Sequence, residues 1–193
     1  METTRDKLIN ATFDEVYSHG FQGASLNDIL AKAGAHKGSM YHCFESKKEM
    51  ALVALSEKIL ERFNERYGYA DACEKGYLEA FYEKLRDTSV RDFKRGCPMA
   101  NIVQEMSNID EDFNALMKSL YGAFRENIKT ILDKAIIANE LTPCDTKKLA
   151  LFITSTIEGA ILSAKATGEE QDYLDVIEEL IVHIEEKRIR SDG

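Results

Sequence analysis

Within the first fifty residues a Ser or Thr is followed three positions later by an acid three times, at Thr3–Asp6, Ser25–Asp28 and Ser46–Glu49. In that arrangement the hydroxyl and the carboxylate satisfy the free backbone N–H groups of a helix start. Gly20 and Gly34 stand where the first two segments must close. The spacing therefore leaves room only for short helices at the front of the chain. It predicts a helix over residues 4–19, with Leu8, Ile9, Thr12, Phe13, Val16 and Tyr17 on one stripe. Gly20 should end it in the left-handed conformation, with Phe21 folded back on the last turn. A second helix over 25–33 buries Leu26, Ile29, Leu30 and Ala33. A third over 37–43 turns Met40 and Phe44 inward, and a long fourth runs from Ser46 to about Tyr67.

Beyond residue 70 the pattern is of long helices, predicted over about 71–88, 98–107, 111–139, 145–167 and 170–188. The polar segment 87–96 is the main loop, and Pro98 fits the first position of a helix. Only two prolines and eleven glycines interrupt 193 residues, so an all-α fold is expected. The simplest division is an N-terminal three-helix head, residues 1–47, and a larger helical body, residues 48–193.

The formal net charge of −9 argues against a protein that binds nucleic acid over its whole surface. The charge is uneven, however. Residues 1–50 carry six basic against seven acidic side chains, so the body holds nearly all of the excess. Between 32 and 48 stand Lys32, Lys37, Lys47, Lys48 and two histidines against the single acid Glu45. Such a patch on an acidic body suits contact with a polyanion through one face.

Other classes find little support. The N-terminus lacks the apolar run of a signal peptide. The apolar stretch from Leu149 to Ala164 is broken by Glu158 and reads as too short for a membrane span. Cys43, Cys73, Cys97 and Cys144 are scattered without a C-x-x-C pair, as expected of reduced thiols in a cytoplasm, and they suggest no metal site. No phosphate loop, nucleophile–base pattern or H-E-x-x-H points to an enzyme or a cofactor. Glu105, Glu158 and His183 read as isolated surface or dimer-contact groups.

Two short helices joined by a glycine turn, 25–33 and 37–43, have the lengths of a helix-turn-helix. In that motif the second helix enters the major groove of DNA by its N-terminal end. Burying Met40 and Phe44 leaves Lys37, Ser39, Tyr41 and His42 outward, and Gly38 lets the backbone approach closely. The Tyr41 hydroxyl and the Lys47 ammonium suit phosphates. The competing reading is a three-helix hairpin packed as ordinary core with a solvated lysine face; a third helix this short is poor material for core burial.

The run from Gly20-Phe21 and Ala24-Ser25-Leu26 through Gly34-Ala35-His36-Lys37-Gly38-Ser39-Met40-Tyr41-His42-Cys43-Phe44 to Lys47 resembles the DNA-binding head of the tetracycline-repressor (TetR) family. The segments Gly96–Asn101 and Glu158–Gly168 are similar to body segments of such repressors. The resemblance implies that Lys37, Gly38 and Ser39 face bases, while Ser25, Tyr41, His42 and Lys47 hold phosphates. His36 stands where the family usually has a capping Ser, so it either caps weakly or reaches the DNA itself. The resemblance also implies a double-stranded operator as partner, a body cavity for a small-molecule inducer, and a homodimer built on the last two helices.

In the body, Met99, Val103, Met106, Phe113, Met117, Tyr121, Phe124 and Phe152 are candidate cavity walls, although such stripes also make plain core. Ser155, Gly159 and Ser163 recur at helical spacing, and Ile177, Leu180, Ile181 and Ile184 follow on the last helix. Both stripes fit a monomer's interior or a dimer contact, and the need for two recognition helices on a palindromic site favours the dimer. Cys97, before Pro98 and beside Lys94 and Arg95, has the setting of a stabilised thiolate and so of an oxidant or electrophile sensor; the other reading is an inert buried thiol. The functional expectation is a DNA-binding, ligand- or redox-responsive repressor. The alternative is a helical small-molecule or thiol sensor acting mainly through protein contacts.

Overall fold

The computed structural model describes residues 2–71 and 76–189. Among these residues the chain forms nine α-helices. They are α1 (Thr4–Gly23), α2 (Leu26–Ala33), α3 (Lys37–Cys43), α4 (Lys47–Tyr67), α5 (Tyr77–Arg86), α6 (Pro98–Met106), α7 (Glu111–Ile137), α8 (Thr146–Thr167) and α9 (Glu170–Glu185). A 3-10 turn covers Gly68–Asp71, and the only extended pairing described is an isolated bridge between Leu141 and Arg188. The all-α expectation holds. The helix expected over 71–88 is shorter where it is described, and its expected start lies partly outside the described residues. The last helix stops at Glu185, because the following residues turn back and the Lys187 carbonyl accepts from the Thr142 N–H at 2.8 Å.

The chain divides into two compact units. One holds the residues up to Arg62 together with Pro98–Leu120; the other holds Phe63–Cys97 and the residues from Tyr121 on. This differs from a cut after residue 47, because α1 packs on α6 as well as on α2 and α3.

In the first unit, α1 buries the expected stripe, from Leu8 through Tyr17. Thr3 forms a complete capping box: its N–H donates to Asp6 Oδ2 at 2.9 Å, and the Asp6 N–H donates to Thr3 Oγ1 at 3.2 Å. The other two boxes close on one side only. Ser25 Oγ accepts from the Asp28 N–H at a long 3.5 Å, while the Glu49 carboxylate takes the N–H of Glu45 rather than that of Ser46.

Gly20 departs from expectation. It has φ +74° and ψ 170°, which is not the left-handed helical conformation, and the helix kinks there and runs on to Gly23. The kink frees the N–H groups of Phe21 and Gln22, and both donate to the Glu105 carboxylate of α6, at 2.9 and 2.8 Å. A side chain at Gly20 would place its Cβ 2.5 Å from Glu105 Oε2. Phe21 does not fold back on α1. Its ring meets Phe113 at 4.6 Å, its carbonyl accepts from Lys47 Nζ at 2.7 Å, and that ammonium sits 4.6 Å from the ring centre. Burial lowers the Lys47 pKa from its ordinary value, against the opposing pull of the Glu105 charge.

In the second unit α8 packs on α9; α8 buries Leu149, Ile153, Ile157, Ala160 and Ala164, and α9 buries Tyr173, Ile177, Leu180, Ile181 and Ile184. Helix α8 is long and apolar enough to cross a bilayer by composition, with a mean hydropathy of 1.3, so it is not too short as expected. Part of its apolar character lies in a buried stripe, and part in the exposed Leu151, Phe152 and Leu162. The start of α5 is capped by a carboxylate from elsewhere in the unit: Glu140 accepts from the N–H groups of Gly76, Tyr77 and Leu78.

Candidate functional site

Helices α2 and α3 form the expected pair. Gly34 closes α2 at φ +59° and ψ 35°, with the Gly34 and Ala35 N–H groups donating to the carbonyls of Ala31 and Leu30. Met40 and Phe44 are buried, so the opposite side of α3 faces solvent. His36, Lys37, Gly38, Tyr41 and His42 are exposed and Ser39 is half-buried; Tyr41 leaves 60% of its surface open. A Cβ at Gly38 would meet nothing within 4 Å, which keeps that stretch of backbone accessible. His36 occupies the N-cap position but makes no capping bond with its side chain. Ser25 and Lys47 are half-buried, and an ammonium that donates once to Phe21 has two further N–H bonds to offer.

The basic patch is smaller than the composition suggested. Lys32 is held by Asp14 and Glu15, at 2.6 and 2.7 Å, and Lys48 by Asp110 and Asp112, at 2.7 and 2.6 Å. Those partners lie outside 32–48 in sequence, so a count over that window missed them. Lys37 and Lys47 carry the positive character that remains on this face.

The candidate cavity residues fall in both units. Met99, Met106, Phe113 and Met117 are buried and Val103 half-buried in the first; Phe124 is buried and Tyr121 half-buried in the second. Phe152 is not a cavity wall. It is 47% exposed and lines an open groove on the second unit, with Thr156, Asp175, Val176, Glu179 and Leu180, while its ring meets His183 edge-on at 5.0 Å.

Cys97 is buried, and its Sγ donates to Glu158 Oε1 at 3.2 Å. The expected electropositive setting is thereby corrected: a carboxylate faces the thiol, and Arg95 Nε donates to Asp92 at 2.6 Å. Glu158 is no surface group either. Burial raises its pKa above the ordinary carboxylate range, opposed by the Cys97 thiol, the Arg91 charge and the Tyr121 hydroxyl.

The dimer candidates also separate. Ser155, Gly159 and Ser163 are exposed on α8, joined there by Leu151, Phe152 and Leu162 and by Val182 on α9. Ile177, Leu180, Ile181 and Ile184 are instead at most 5% exposed, consumed by packing within the chain, and so are core rather than contact surface. An apolar helical stripe states that something covers it, not which helix does.

Residues 8–54 match the family model of the bacterial regulatory proteins of the tetR family, and residues 75–180 match the tetracyclin repressor-like C-terminal domain. The chain belongs to the TetR family. It is a DNA-binding transcriptional regulator. A helix-turn-helix regulator from the lacX 3′ region of Lactococcus lactis is 29% identical over 178 residues, covering 88% of this chain and 87% of the relative. The helix-turn-helix transcriptional repressor ComR of Escherichia coli is 24% identical, with 89% and 84% of the two chains covered. Among solved structures, a TetR-family regulator from Cytophaga hutchinsonii superposes with a TM-score of 0.85 at 26% identity, over 97% of this chain and 96% of the other. Reduced NemR of Escherichia coli shares the fold with a TM-score of 0.84 at 20% identity, over 98% and 99%.

In this TetR-family chain the thiols rank differently from the order their neighbours in sequence suggested. Cys43 is exposed, Cys144 half-buried with its pKa raised by burial, and Cys97 buried against a carboxylate; Cys73 lies outside the described residues. An alkylating agent added below stoichiometry at neutral pH therefore labels Cys43 before Cys97. Peptide mapping by mass spectrometry reads the order, and labelling of Cys97 first would contradict it. Sequence reasoning took Glu105 for an isolated surface or dimer-contact group, since a lone acid on a short helix carries no signal of the backbone N–H groups it accepts from. For Glu158 the signal was present: an acid inside the most apolar run of the chain.

Proposed function

We propose that this TetR-family protein is a cytoplasmic repressor that binds a palindromic operator as a homodimer and is released by a small-molecule inducer. The observation that carries the reading is α3, which buries Met40 and Phe44 and presents Lys37, Ser39, Tyr41 and His42 beside a clear Gly38. With α3 in the major groove, Lys37, Gly38 and Ser39 meet base edges. Ser25, Tyr41, His42 and Lys47 meet phosphates, and His36 stands at the groove entrance. The DNA-reading segment is residues 1–47, and residues 48–193 serve pairing and inducer binding. Pairing uses the exposed α8 face with Ser155, Gly159 and Ser163, whose small side chains permit close approach. A palindrome needs two heads at a fixed spacing, and an inducer that prefers a different spacing shifts the population away from the DNA-bound form. The burial of Cys97 favours an inducer held without a covalent bond over a thiol switch.

A gel-shift titration on the operator recovered by footprinting tests this. Lys47→Ala weakens specific and non-specific DNA alike and lowers the salt slope by about one unit, as the loss of one phosphate contact requires. Lys37→Ala instead relaxes base preference, at a cost of about 1–3 kcal/mol on the specific site. Unchanged affinity and salt slope in both variants would remove α3 and the start of α4 from the interface.

A further inference from the structure

The second unit holds two half-buried arginines whose inner guanidinium nitrogens have too few acceptors to match them. Arg66 is half-buried, and its Nη2 donates to the backbone carbonyls of Lys84 and Asp87, while its buried Nε finds no partner. Arg91 lies over the Tyr173 ring, 4.6 Å from its centre, and its Nε and Nη2 are closed off from solvent with no acceptor. Buried donors left unpaired are rare in folded proteins, because each forfeits its hydration without replacing it.

The unpaired nitrogens of Arg91 are a matched set. Nε and Nη2 lie on one edge of the guanidinium, where their N–H bonds run parallel and fit the two oxygens of a carboxylate. The surrounding charge points the same way. Burial, and then the Arg91 charge, lower the Arg66 pKa, so the two cations repel one another. Two acids are near: Asp87, whose charge acts on Arg66 but whose side chain is taken by Ser89, and Glu158, whose own burial favours its neutral form and whose Oε2 has no hydrogen-bond partner. All of these groups converge on one place. The buried Tyr67 hydroxyl, its pKa pushed up to about 12 mainly by burial, senses Arg66, Arg91, Tyr173 and Glu158 together. Beside this polar end stands an aromatic wall in the same unit. Tyr67 stacks on Phe124 at 5.7 Å, Phe63 stacks on Phe124 at 5.3 Å, and Phe93 meets Tyr173 at 5.1 Å. Few orienting polar groups against an apolar wall are the features of a small-molecule site.

We infer that the inducer is a small organic acid whose carboxylate sits on Arg91 Nε and Nη2 and whose apolar body lies against Tyr67 and Phe124. The inference rests on the reading of the body as an inducer-binding region and adds the chemical class. A planar or short-chain acid satisfies both ends of the cluster, since it supplies the missing negative charge and covers the rings. A neutral amide of the same shape offers only one acceptor oxygen and brings NH groups against guanidinium donors.

The test is calorimetric titration of the full-length protein with benzoate, phenylacetate and octanoate, each compared with its primary amide and with inorganic phosphate. At least one acid binds, with its amide and phosphate each weaker by tenfold or more. Arg91→Gln weakens that acid by about tenfold to a hundredfold, the range for losing a charge-assisted fork. Arg91→Lys keeps the charge but not the fork and also weakens the acid, while leaving the weak amide binding where it was. Far-UV circular dichroism establishes that the variants are folded, and Arg91→Lys carries the test if Arg91→Gln is not. Acid and amide binding equally, phosphate matching the best acid, none of the acids binding, or Arg91 variants binding the acid like the parent would each overturn the proposal. Operator binding is measured separately by gel shift without acid; its absence would sink the repressor reading and leave the calorimetric result standing on its own.

Discussion

Glu105→Ala lowers the melting temperature by about 4–8 °C and weakens operator binding in the same variant. The Glu105 carboxylate is the acceptor for the N–H groups of Phe21 and Gln22 at the kink made by Gly20. Removing it leaves the half-buried Phe21 donor unsatisfied, while water takes over part of the Gln22 bond, for a loss of about 2 kcal/mol. In a chain of this length each kcal/mol shifts the midpoint by about 2–4 °C. The effect reaches DNA because residues 21–24 lead directly into the Ser25 cap and α2, and because Lys47 is anchored on the Phe21 carbonyl. Glu105→Gln keeps one acceptor oxygen and loses about half as much. Thermal melts followed by circular dichroism, with gel shifts on the same samples, check this; a Glu105→Ala protein that melts with the parent would mean that the kink holds itself.

If the protein pairs through the α8 face as proposed, Gly159→Leu gives a folded protomer that stays monomeric, with operator affinity reduced a hundredfold or more. Within the chain a Cβ at Gly159 meets nothing within 4 Å, and the position lies in the interior of α8, where replacing glycine favours the helix by about 0.8–1 kcal/mol. The protomer therefore loses nothing. A dimer that brings small side chains on α8 close together cannot admit four extra carbons without parting the helices. A monomer presents one α3 instead of two and forfeits the half-site contacts that make a palindrome specific. Sedimentation equilibrium separates the outcomes: a monomer with the parent's circular dichroism is expected, and a dimer with full operator affinity would move the interface away from Gly159.

The helix pair of the head was legible because its signals are local. A hydroxyl three residues before an acid, a glycine at a helix end and an apolar pair one turn apart act over a few ångströms of their own chain. They placed α2 and α3, the helix end at Gly34, the inward Met40 and Phe44, and so the outward Lys37, Tyr41 and His42. The long apolar stripes of α8 and α9 announced helices in the same way, but not which stripe covers which. Ile177, Leu180, Ile181 and Ile184 look in sequence like a contact surface and are core. Phe152 looks like a cavity wall and stands at the surface. Charge was harder still, because the field at a side chain is set by neighbours in space. Lys32 and Lys48 lost their positive character to acids outside their window, Cys97 met Glu158 rather than Lys94 and Arg95, and Glu105 found its purpose at a kink 84 residues earlier in the chain. Arg66, Arg91 and Glu158, distant in sequence, became one cluster only when the second unit closed around Tyr67. Local hydrogen bonding and periodicity along single segments were enough to place most helices and to show which side of α3 faces solvent. Which apolar faces stay open and which charges go unpaired follows from what packing brings alongside each helix, and no single segment carries that information.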